Sequence, residues 1–129
     1  MKNKILSLLA FTSLLIGLTL SGCYYDEVVP EVIDPGNEIS FSGDLIPIFN
    51  ASCNTAGCHS PGAVAPDLTA ANAFNALVNG SYIDVGNPEA SELYQWVKGN
   101  RAISMPLSGE DPVISSSVLI WIQQGALNN

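Results

Sequence analysis

Histidine occurs once in the 129 residues, methionine twice with the first residue included, and cysteine three times. A blue-copper centre needs two histidines beside its cysteine, so this chain cannot build one. Structural zinc wants four ligands, and Cys53, Cys58 and His59 have no second Cys/His group to complete the set. Positive charge is scarce as well: Lys and Arg total 4 against 12 Asp and Glu, a formal charge of −8. Lys2 and Lys4 fall within the first 22 residues and every acidic residue falls later, which leaves Lys98 and Arg101 facing all 12 acids, a charge of −10. Nucleic-acid phosphates would be repelled by such a surface, which excludes a nucleic-acid partner. Beyond residue 22 no unbroken run of about 18 apolar residues exists, so nothing there reads as a membrane-crossing helix. Sustained apolar/polar alternation and internal repeats are missing too, and with them the case for strands or an array.

What is present begins with a leader. Residues 1–22 have a basic start, an apolar stretch from Ile5 to Leu20, and then Leu20-Ser21-Gly22-Cys23. This reads as a secretory signal. Its last four residues resemble the lipobox of bacterial lipoproteins, which implies that Cys23 is acylated and becomes the first residue after cleavage. Acyl chains hold a protein on a membrane at roughly 0.8 kcal/mol per buried methylene. Residues 23–39 carry five acidic residues with Pro30, Pro35 and Gly36 and show no periodicity, as expected of a tether. The remaining residues, 40–129, form one small domain.

Within that domain the apolar residues fall into four short helical patterns. Phe41, Leu45, Ile48 and Phe49 share one face, with Ser42 or Asp44 as cap and Pro47 in the first turn. A second helix is expected to open at Thr69, bury Ala70, Ala73, Phe74, Leu77 and Val78, and stop at Gly80. The third is capped by Asn87, has Pro88 first, and aligns Ala90, Leu93, Tyr94 and Val97. The fourth begins near Ser115, presents Val118, Leu119, Trp121 and Ile122, and ends at Gly125. Helices of about ten residues are marginal alone, and a domain this small has a thin core. Something other than the chain should fill the middle.

Directly after the first helix stands Cys53-Asn54-Thr55-Ala56-Gly57-Cys58-His59. A covalent c-type haem needs two thiols to add across its vinyl groups and an imidazole beside the second thiol to ligate iron, which is why the usual pattern is C-x-x-C-H. Here four residues separate the cysteines. The extra two must loop out, and small or turn-forming Asn54, Ala56 and Gly57 make that bulge sterically cheap. A Cys53–Cys58 disulfide is the plain alternative in an oxidising compartment, but it leaves His59 and the thin core unexplained. For the sixth iron ligand the candidate is Met105, in a loop between the third and fourth helices and stiffened by Pro106; an open position or Lys98 are the alternatives. Buried propionates need donors, and Trp121 and Arg101 are the candidates; Trp96 and Lys98 read as core and solvated cation.

Phe41-Ser42-Gly43-Asp44-Leu45-Ile46-Pro47-Ile48-Phe49, the gapped Cys-Cys-His unit, Gly86-Asn87-Pro88 with Ser91-Glu92-Leu93-Tyr94, Met105-Pro106, and Ile120-Trp121-Ile122-Gln123-Gln124-Gly125-Ala126 together resemble the planctomycete-type cytochrome c domain, a branch of the class I cytochrome c fold. The likeness spans residues 40–129 and departs from family habit in having Leu107 where a second proline is common. It implies an all-α fold of about four short helices wrapped around one covalent haem c, with terminal helices crossing. Thioether links at Cys53 and Cys58 are implied, with His59 on one face of the iron and Met105 on the other.

The expected function is one-electron transfer by a single-haem, lipid-anchored cytochrome of the bacterial cell envelope, at the periplasmic face or on the outer surface of the outer membrane. No substrate is transformed, so the protein is a carrier and not an enzyme. Its acidity favours redox partners with a basic docking patch. Two other classes remain: a haem peroxidase or gas sensor, and a cofactor-free envelope lipoprotein with a Cys53–Cys58 disulfide. If haem fills the middle, the chain without it is expected to be largely unfolded.

Overall fold

The computed structural model describes residues 36–129 and Lys4. The rest of the expected leader, Cys23 with its expected lipid, and the expected tether to residue 35 lie outside the described residues. Among the described residues the chain is helical without a strand: α1 (Ile46–Ser52), α2 (Ala73–Asn79), α3 (Glu92–Val97) and α4 (Pro112–Gln123). A π-helical turn over Phe41–Leu45 leads into α1, and a 3-10 turn over Pro88–Ala90 precedes α3. None of these helices is long and apolar enough to cross a membrane.

The first helical segment starts earlier than the sequence suggests. Its cap is Ser40, not Ser42 or Asp44: the Ser40 hydroxyl accepts from the Gly43 N–H at 3.0 Å, while Asp44 reaches back to accept the Ser40 N–H at 2.8 Å. That reciprocal pair satisfies two amides an isolated helix end would leave open. Pro47 sits in the first turn of α1, as its missing donor allows.

α2 begins at Ala73, because Asp67 gathers the preceding segment into a turn. Its carboxylate accepts from the Thr69 N–H (3.0 Å), the Thr69 hydroxyl (2.6 Å) and the Asn72 amide (2.8 Å). Ala73 and Leu77 are buried, but Ala70 and Val78, expected on the same face, are exposed. The third pattern is divided. Asn87 donates no side-chain cap; Asp84 instead accepts from the Gly86 and Asn87 amides at 2.9 and 3.1 Å. At Ser91 the backbone extends (ψ 130°), because its buried hydroxyl accepts from the Asp84 N–H at 2.8 Å, and α3 starts only at Glu92. The last helix starts at Pro112, not near Ser115, with Asp111 capping Val113 and Ile114 at 2.8 and 3.3 Å.

The core lies where the Phe41 turn, α1, α2 and α4 meet. Phe41 packs within 5.1 Å of Trp121, 5.3 Å of Phe74 and 6.2 Å of Phe49, ring centre to ring centre. Edge-on and tilted contacts of this kind add to the burial of the rings themselves. Leu45, Leu77, Val118 and Ile122 complete it, all fully buried. Ile39, placed in the tether by sequence pattern, is only 6% exposed and belongs to this core. Its segment is clasped to the far end of the chain: Gln124 accepts from the Ile39 N–H and donates to the Asn37 carbonyl, and Asn129 accepts from the Phe41 N–H at 2.9 Å.

Candidate functional site

The Cys53–His59 unit emerges from the last turn of α1. Cys53 ends that helix with its N–H on the Phe49 carbonyl at 2.9 Å, and the Asn54 N–H shares the same acceptor at 2.8 Å. The chain then turns on the Cys58 N–H to Thr55 carbonyl bond (2.9 Å) and returns through the His59 N–H to the Cys53 carbonyl at 3.1 Å. The four intervening residues therefore form a closed bulge. Gly57 supplies its left-handed step (φ +83°), which a side chain would strain. Asn54 pins the bulge from below, donating to the Asn50 side chain at 2.7 Å and to the Leu68 carbonyl at 3.1 Å. Cys53 and Cys58 are both free thiols and half-buried. Burial, and after it the proximity of Cys58, pushes the Cys53 thiol up to about 11.

His59 is fixed at both backbone groups and on its ring. The Leu68 N–H donates to its carbonyl at 2.9 Å, and ring Nδ1 lies 3.1 Å from the Pro66 carbonyl oxygen. A carbonyl can only accept, which puts a proton on Nδ1 and leaves Nε2 as the lone pair of the neutral ring. An outer partner of this kind orients an imidazole for a metal and raises its basicity. Pro66 carries no side-chain signal for this role, because its contribution is a backbone carbonyl.

Met105 lies on a different loop, residues 98–111, and is half-buried. That loop is fastened to α3. The Met105 N–H reaches the Trp96 carbonyl at 3.4 Å, Lys98 pairs with Glu110 at 2.6 Å, and Arg101 pairs with Glu92 through both Nε and Nη2. Glu92 also accepts the Trp96 indole N–H at 2.7 Å. Hydrogen bonding from Arg101, helped by Trp96, holds the Glu92 carboxyl below the usual carboxylate range; Lys98 does the same for Glu110, and Glu110 in turn raises the Lys98 ammonium. The two donors expected at propionates are both engaged within the protein. Trp121 is fully buried among aromatic rings with its indole N–H on the Leu127 carbonyl at 2.8 Å, and Arg101, an exposed residue, gives its Nε and Nη2 to Glu92. Thus the structure joins Cys53, Cys58 and His59 in one loop and holds Met105 on another. Pro66, Glu92 and Asn54 enter as supporting residues that spacing alone did not reveal.

Among the described residues no group of three or more His, Cys, Asp or Glu side chains is arranged to hold a metal ion. Zinc and other all-protein cages need such a group, whereas a porphyrin brings four nitrogens of its own and asks the chain for axial ligands only. Compared with protein-family models, with curated proteins and with solved structures, the chain matches none.

Proposed function

We propose that this chain is a single-haem c-type cytochrome that passes one electron at a time between redox partners in the bacterial cell envelope, anchored through lipid on Cys23. The observation that carries this reading is the 53–68 loop, where two free thiols and an imidazole with its Nδ1 committed to Pro66 share one closed turn. The donor set fits a covalent haem: Cys53 and Cys58 would take the thioether links, and His59 Nε2 and Met105 would ligate the iron. The surroundings fit as well. Each of the two loops bearing those residues also exposes apolar side chains, Val64 on one and Ile103 and Leu107 on the other, which are 57%, 55% and 74% exposed.

Haem, when bound, supplies the one-electron centre. The residues of the chain set its conditions. Hydrogen bonds across the 53–68 loop hold the imidazole in one tautomer and orientation, and a loop that is already fixed has little to reorganise when charge changes. A thioether opposite the imidazole favours the reduced state and a high potential. The partner is a redox protein presenting a basic patch, since Lys98 and Arg101 are both held in ion pairs and the remaining charge is acidic.

The test is to produce the full chain in a host competent for cytochrome maturation and stain a denaturing gel for haem. Covalent haem should survive, add its mass to that of the acylated chain, and disappear in Cys53→Ser/Cys58→Ser. A colourless protein with both thiols free or joined to each other overturns the proposal. Carbon monoxide should bind the reduced protein slowly and weakly; prompt binding would favour a gas sensor or peroxidase over the carrier.

A further inference from the structure

The loop that carries Met105 is held by more ionic contacts than any other described part of the molecule. Both cations that follow residue 22 are used on it. Lys98 and Glu110 close its neck, and the Ser115 hydroxyl, at 3.2 Å, ties Glu110 to α4. Its body is fastened at one carboxylate. Glu92, in the first turn of α3, receives three N–H groups: Trp96 Nε1, Arg101 Nε and Arg101 Nη2. Arg101 lies four residues before Met105, and Trp96 is the residue whose carbonyl takes the Met105 N–H. The loop also meets α3 through the Gly99 N–H on the Trp96 carbonyl and the Asn100 N–H on the Gln95 carbonyl, but the ion pair that fastens its body is made by Glu92, whose carboxylate is steadied by the Trp96 indole.

We propose that Glu92, steadied by the Trp96 indole, is the positioning residue for Met105, clamping the 98–111 loop through Arg101 so that the thioether would be presented to iron. This rests on the reading of Met105 as a haem ligand. A neutral thioether is a weak ligand whose success depends on its effective concentration at the iron, and that concentration is set by how tightly its loop is held. Arginine suits the task because its planar fork meets a carboxylate on two nitrogens, which fixes direction as well as distance. Replacing either partner leaves the loop attached at its neck by Lys98 and Glu110, so the loop loosens without being lost.

The experiment is an imidazole titration of the oxidised, haem-loaded full chain, following loss of the methionine-ligated spectrum. Glu92→Gln and Arg101→Gln should each raise the apparent imidazole affinity about two- to fivefold, the scale of a lost solvent-exposed ion pair. Glu92→Asp should recover part of that difference, while Asp44→Asn, on the opposite end of the chain, should leave the affinity unchanged. Equal affinity in Glu92→Gln, Arg101→Gln and the parent overturns the proposal. Hydrogen exchange of the same full chains provides a reading that needs no haem: amides 99–109 should exchange faster in Glu92→Gln and Arg101→Gln, and unchanged exchange overturns the clamp. Failure of haem attachment appears separately, as a colourless gel with the exchange difference intact.

Discussion

A Cβ added at Gly80 would lie 2.4 Å from the Ala76 carbonyl oxygen and 2.6 Å from the Tyr82 ring, although the φ of −80° suits any L-residue. The cost of a side chain here is steric, not conformational. Backbone cannot step aside as a flexible side chain would, so Gly80→Ala should destabilise the protein by about 1–3 kcal/mol, read as a shift in denaturation midpoint; an unchanged midpoint would refute the close approach. Glu92 makes a prediction of a different kind. Its carboxyl is held below the ordinary range in the folded protein by Arg101, so its contribution is fully present above the unfolded carboxylate value and is lost as pH falls through the lower folded one. Glu92→Gln should accordingly be less stable than the parent near neutrality, with the gap closing on acidification below about pH 4. Denaturation at a series of pH values checks this, and a gap independent of pH contradicts it. His59 was singled out from the sequence because Cys53 and Cys58 stand six residues and one residue before it. Pro66 was not, because a carbonyl is common to every residue and only the fold says which one faces the ring.

At the scale of elements, periodicity located the four helices and most of their buried residues, but misplaced their beginnings and with them Ala70 and Ala90, which are exposed. The misses before α2 and α3 share an origin: a polar side chain bonds to nearby amides and replaces a helical turn with a different one. Asp67 does this before α2, and Asp84 with Ser91 before α3. Before α4 the signal was available in Asp111-Pro112, a capping acid followed by a proline that needs no donor, but Val113 beside it is exposed and hides the start of the apolar stripe. Asp111 accepts from two amides there, so Asp111→Ala should cost about 1 kcal/mol of stability, while Ser115→Ala tests the sequence-based start. A larger loss in Ser115→Ala than in Asp111→Ala would restore the later boundary. The all-α class was thus readable from spacing. The reading of loop 98–111 was incomplete for a related reason: ion pairs between residues nine and twelve positions apart leave no periodic trace.

For the molecule as a whole, charge and core point to two further outcomes. With Lys98 and Arg101 neutralised by Glu110 and Glu92, the outward field is set by unpaired acids. Electron exchange with a small cationic redox reagent should slow as salt is added, and exchange with an anionic one should quicken; rates indifferent to ionic strength would remove electrostatic steering from the account. The distribution of buried side chains bears on the chain without haem. Phe41, Phe49 and Trp121, with Leu45, Leu77, Val118 and Ile122, form a core built by the protein itself where the ends of the domain meet, and the 98–111 loop contributes no buried residue to it. That separation argues for a two-tier molecule rather than the largely unfolded chain expected if haem fills the middle. Stability is distributed in the same way as buried contacts, so loops with few of them open first. In Cys53→Ser/Cys58→Ser, helical circular dichroism should persist in part and amides of α4 should stay protected, while those of residues 99–109, held by the Glu92 and Glu110 contacts and a few backbone bonds, should be less protected than α4. A coil-like spectrum with α4 exchanging as fast as the loop would mean that haem, and not the aromatic cluster around Phe41, organises the whole domain.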